Sequence, residues 1–111
     1  MRGAELTDAV LCRAIREMEQ GLIDADLGGG LVKKRVALPG RGKRGGARTI
    51  LATNKEDRWF FLFGFEKNEM ESIEPVDLRN LKNYGQVLLR LSQIEMDYYL
   101  SEDALKEICH D

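Results

Sequence analysis

The sequence predicts an α+β domain: an antiparallel sheet of three to four strands packed against helices from both ends of the chain. Three observations carry this reading. An apolar stripe at helical spacing runs from Thr7 to Gln20, three runs of branched and aromatic residues lie between Leu31 and Phe65, and a second helical stripe follows Pro75. With 111 residues the chain supports one core and not two, so 1–111 reads as a single domain. Its 43% hydrophobic residues supply that core and exclude disorder of the whole chain. No apolar run approaches the roughly 18 residues of a membrane span. Nor does Met1 to Asp8 pair a basic segment with an apolar one, so the expectation is a cytoplasmic protein with no membrane partner.

Each element has a local cause. Thr7 caps a helix in which Val10, Leu11, Ala14, Ile15, Met18 and Leu22 share a face, Arg13, Arg16, Glu17 and Gln20 point away, and Gly21 ends the pattern. Asp24 to Gly30 reads as a turn-rich connection because its three consecutive glycines disfavour helix and strand interiors. Leu31 to Leu38 alternates as a strand, with Val32, Val36 and Leu38 on one side, Lys33 and Arg35 on the other, and Lys34 breaking the apolar side. Pro39 to Gly46 reads as a loop, and Ala47 to Thr53 and Arg58 to Phe65 as strands joined by a turn at Asn54 to Asp57. Because Arg58 to Phe65 is apolar on both faces, it is expected to be central in the sheet. Pro75 opens a helix with Leu78, Leu81, Gly85, Leu88 and Leu91 on one stripe. Ser92 and Glu95 have capping-box spacing for a shorter helix through Leu100.

Cys12 and Cys109 lie near opposite ends without a CxxC, and His110 is the only histidine, so neither a metal site nor a cofactor is expected. Cys12 falls in the apolar helical stripe and reads as a small buried hydrophobe. Asp24 and Asp26 lack a third ligand and read as helix-exit and turn residues.

Charge is segregated along the chain. The net value is -2, yet Leu27 to Lys55 holds eight basic residues and no acidic one. Such a cluster is either a solvated loop or a site for a polyanion. Lys33 and Arg35 share the sheet face opposite the first helix, Arg48 lies on the next strand, and Lys67 ends the third. Together they form a phosphate clamp with no interleaved carboxylate. Lys34, Arg41, Lys43 and Arg44 extend the arc as RNA contacts. RNA is cut without a metal when its 2'-hydroxyl attacks the adjacent phosphorus, which needs a proton acceptor and cations facing the phosphorane. Lys33 suits the first role and Arg35 and Arg48 the second, the alternative being four exposed strand residues on a solvated sheet. The aromatic run Trp59, Phe61, Phe63 and Phe65 reads as core packing in preference to a base-stacking platform.

The run GLIDADLGGGLVKKRVALPGRGKRGGARTI followed by FFLFGFEKNE resembles the RelE/HigB toxins of bacterial toxin-antitoxin modules, in the branch with a GxGKSGGYR-type loop and an F-x-K-N-E strand end. The resemblance implies a ribonuclease that enters the ribosomal A site, cuts translated mRNA and is held inactive by an antitoxin. It implies catalytic roles for Lys33, Arg35, Arg48 and Lys67. Arg44 stands where that branch has serine, Ala47 where it has an aromatic, Met70 where arginine is common, and Ile73 near a position that some relatives fill with tyrosine. Members also open with a strand before the first helix. That strand is expected to be missing here, its place taken by a second copy in a homodimer or by an antitoxin segment. Two further readings stand beside the ribonuclease: a homologue that binds RNA or antitoxin without cutting, and a ParE-like toxin acting on gyrase, which would share the fold.

Overall fold

In the computed structural model, residues 6–38, 42–66 and 74–109 are described, with 42–45 as backbone only. The first stripe forms α1 (Asp8–Glu19), whose N-cap Thr7 accepts a hydrogen bond from the Val10 amide at 3.3 Å. Four strands follow, β1 (Ala25–Gly28), β2 (Leu31–Leu38), β3 (Gly42–Thr53) and β4 (Trp59–Glu66), then α2 (Pro75–Leu89) and α3 (Gln93–Ser101). The sheet order is β1-β2-β3-β4 and every pairing is antiparallel. The α+β architecture predicted from the sequence is the one observed.

Three elements differ from expectation. The glycine-rich Asp24 to Gly30 contributes β1, because Gly28, Gly29 and Gly30 all take positive φ and turn the chain back onto β2. That turn is clamped from α2, where Gln86 Nε2 donates to the Gly29 carbonyl at 2.6 Å. β3 begins at Gly42, well inside the segment expected to be loop, since pairing with β2 as far as Leu38 outweighs its composition. β4 is an edge strand and not a central one, and among the described residues nothing pairs with its outer side.

Both faces of β4 are nevertheless apolar for a reason the strand itself supplies. Ile50 pairs with Phe63 while the next residue, Leu51, pairs with Phe61, so Leu62 is a bulge. Before it, Trp59 and Phe61 pack with Met18, Val32 and Leu51 under α1. On the opposite face Phe60, Leu62 and Phe65 join Leu31, Ile50 and Ala52 against Leu78, Leu81 and Leu89 of α2. The sheet is therefore covered by α1 on one face and, in part, by α2 on the other.

Two contacts fix α2. Arg58 donates to the Leu88 and Leu89 carbonyls at 3.3 and 3.2 Å, satisfying acceptors at the helix C-terminus. Gly85 lies so close to β3 that a Cβ there would stand 2.9 Å from the Ala52 Cβ. Gly85→Ala should therefore cost about 1 to 3 kcal/mol through overpacking, read as a lower urea midpoint. An unchanged or raised midpoint would show that α2 moves away freely. α3 carries the expected capping box, Glu95 N to Ser92 Oγ at 3.1 Å and Ser92 N to Glu95 Oε1 at 2.8 Å. Beyond it the chain returns to α1, where Cys109 is disulfide-bonded to Cys12 with Cα atoms 5.6 Å apart. Cys12 is buried as expected, but as half of a cross-link and not as a free hydrophobe.

Candidate nucleic-acid interface

Register decides which of the segregated cations meet. Arg35 pairs directly with Arg48, and Arg48 with Phe65, while Lys33 pairs with Ile50, and Ile50 with Phe63. Paired residues of an antiparallel sheet share a face. Lys33, Arg35 and Arg48 thus lie together on the face opposite α1, in two adjoining rows, with strand axes about 4.8 Å apart. Lys67, Arg41 and also Met70 and Ile73 lie outside the described residues, and of Lys43 and Arg44 the structure gives only backbone, within β3.

The three cations have different surroundings. Arg48 is half-buried, and its Nη1 is shielded from solvent with no hydrogen-bond partner. A buried donor left unmatched costs about 1 to 3 kcal/mol, more when charged, so Arg48 holds an inner nitrogen that gains a partner only if the guanidinium turns outward. Lys33 is partly exposed, while Arg35 is exposed and engaged by Asp24. Its Nε donates to Asp24 Oδ1 at 3.0 Å and its amide to Oδ2 at 2.6 Å. The expectation of a clamp without an interleaved carboxylate is therefore corrected: Asp24, at the entry to β1, is that carboxylate.

Burial pushes the Asp24 carboxyl upward, but the Arg35 amide and guanidinium, with the Lys34 and Arg35 charges, outweigh it and hold the group below 3.8. A depressed folded-state value stabilises the fold above the unfolded value and loses that contribution as pH falls through the folded one. Asp24→Asn should then be less stable than wild type at neutral pH, and the two should converge as pH falls through the depressed folded-state value. Denaturation curves that stay apart at low pH would contradict this.

Lys34 does not face ligand at all. It is 2% exposed on the α1 side of the sheet, where Nζ meets Glu17 Oε1 at 2.8 Å and donates to the Leu22 carbonyl at 2.8 Å. The expected RNA contact is corrected to a buried ion pair, and Glu17, expected to point away, reaches in from α1. The signal was present in part, since Lys34 sits at an apolar position of its strand and Glu17 borders the helical stripe. Asp26 is likewise occupied, by Lys55 at 2.7 Å and by the Gly28 amide at 2.9 Å. Among the described residues no three His, Cys, Asp or Glu side chains are grouped as a metal site requires, and no helix is long and apolar enough to cross a membrane.

No curated protein and no solved structure matches the chain. A family model described as the RelE toxin of the RelE / RelB toxin-antitoxin system matches residues 1–108. That match covers nearly the whole chain and coincides with the order of helix, antiparallel sheet and C-terminal helices just described, and so the chain belongs to the RelE toxin family.

Proposed function

We propose that this protein is the toxin of a toxin-antitoxin pair and acts as a ribosome-dependent endoribonuclease on mRNA. The observation that carries the reading is Arg48, a half-buried guanidinium with an unmatched inner nitrogen, in register with Arg35 and one row from Lys33. An RNA phosphate on this face meets the Arg35 and Arg48 guanidiniums in one row and Lys33 in the next. In the reaction, the 2'-hydroxyl attacks the adjacent phosphorus, the lone pair of Lys33 in its neutral amine form takes the proton, and Arg48 and Arg35 face the charge that builds on the phosphorane. The bond to the 5'-oxygen breaks, that oxygen takes a proton from water and leaves as the 5'-hydroxyl of the downstream fragment, and the upstream fragment ends in a 2',3'-cyclic phosphate. By the family resemblance Lys67 belongs to the catalytic set, and the basic charge of Arg41, Lys43 and Arg44 assigns them to the RNA backbone.

Asp24 competes with that phosphate for Arg35. Asp24 takes the Arg35 Nε, so a phosphate reaching Arg35 does so at the outer nitrogens and against the charge of that carboxylate. An antitoxin strand, or a second copy, pairing with the side of β4 that no described residue occupies would lie beside the same face.

The test is direct. Expression of the chain alone should arrest growth and give new mRNA 5' ends within translated regions, and co-expression with the neighbouring gene should abolish both. Purified protein with isolated RNA at high enzyme concentration should produce 2',3'-cyclic phosphate termini in EDTA as well as in magnesium. Growth arrest with intact mRNA would instead support the gyrase-directed reading, and intact cellular mRNA without growth arrest, with RNA binding retained, the non-cutting one.

A further inference from the structure

The bulge at Leu62 separates the aromatic run of β4 into two groups with different fates. Trp59 and Phe61 are taken up by the core under α1. Phe63 and Phe65 pass to the other face, in the same rows as Lys33, Arg35 and Arg48. Phe65 is 3% exposed, whereas Phe63 is 42% exposed. The two rings touch with centroids 5.7 Å apart, so Phe65 supports the Phe63 ring from within the core. Phe63 is therefore a braced aromatic ring on an edge strand, diagonal to Arg48 across one strand spacing.

We propose that Phe63 is a nucleobase platform, on which an unpaired base of single-stranded RNA stacks while the attached phosphate is held at Arg48. The inference rests on the RNA-directed reading above and adds to it a base-binding residue, since stacking on Phe63 needs a base that has left its own stack. A phenyl ring reads no hydrogen-bond edge, so Phe63 contributes affinity for any base and sequence preference from elsewhere. The cations supply salt-dependent attraction and the ring a salt-independent part, which makes the two experimentally separable.

Fluorescence anisotropy with a labelled single-stranded RNA of mixed sequence, repeated over a range of KCl concentrations, tests this. Phe63→Leu should weaken binding roughly 5- to 150-fold, the range for losing one stacked base, with an unchanged slope of log affinity against log salt. Arg48→Ala should weaken binding and flatten that slope by about 0.7. Phe63→Trp should retain affinity, and in a Trp59→Phe background its emission should be quenched by RNA. An oligonucleotide with abasic sites should bind wild type and Phe63→Leu equally, which separates stacking from any loss of fold. If Phe63→Leu binds intact RNA as wild type does while Arg48→Ala is impaired, the platform is overturned and the RNA reading stands. If wild type shows no salt-dependent RNA binding, both fall.

Discussion

Lys33→Ala and Arg48→Ala should each slow RNA cleavage by roughly 10²- to 10⁴-fold, the range for removing one proton-transfer or charge-stabilising group. The two substitutions should differ in kind. In the proposed reaction Arg48 would bind phosphate in the ground state as well as face the phosphorane, so Arg48→Ala should raise the RNA concentration needed for half-maximal rate. Lys33→Ala should act mainly on the maximal rate. Single-turnover cleavage at saturating RNA separates the two. Lys34→Met serves as the contrast. Although it removes a cation between the two candidate residues, that ammonium is spent on Glu17 and the Leu22 carbonyl, and the cleavage rate should stay within a few-fold of wild type. A Lys34→Met rate as low as that of Lys33→Ala would place catalysis on the other face of the sheet.

Reducing the Cys12–Cys109 bond should lower stability by roughly 4 to 5 kcal/mol. The bond spans 97 residues, and a cross-link that closes so long a loop removes much of the freedom of the unfolded chain. Urea denaturation with and without dithiothreitol measures the effect, and Cys109→Ser should reproduce the reduced curve in both conditions. Coincident curves would show that the covalent bond adds nothing to a fold already fixed by its core. Thiol pools that keep cysteines reduced would withhold this stabilisation, so the marginal stability of the protein depends on the redox state around it.

Features with a local cause were legible in the sequence, and those that depend on distant partners were not. The Thr7 cap, Pro75 at the start of α2 and the Ser92–Glu95 capping box follow from residues within one helical turn, and each appears where its chemistry places it. Strict alternation in Leu31 to Leu38 correctly put Lys33 and Arg35 on one face and Lys34 on the other. What alternation could not supply was the fate of those cations. Lys34 is neutralised by a side chain of α1, and Arg35 by Asp24, a residue that composition assigned to a turn. The Leu62 bulge was equally hidden, because RWFFLFGF is apolar throughout and gives no sign of where its parity changes. For the same reason the exposed Phe63 was grouped with three aromatics that pack elsewhere or beneath it. The edge position of β4 depends on which segments pair, not on its own hydrophobicity.

The cross-link has a mechanical meaning as well. A pull applied to the chain on its two sides, before Cys12 and after Cys109, would run through the sulfur bridge and bypass the sheet and α2 entirely. The intervening polypeptide is a loop shielded from tension, and neither the β2 and β3 ladder nor the buried Lys34 pair would be sheared. A machine that unfolds proteins by threading them from one end would meet this loop as a doubled strand at Cys12 or Cys109. Only when a thiol opened the bridge would the same force run along a single chain and reach the sheet directly.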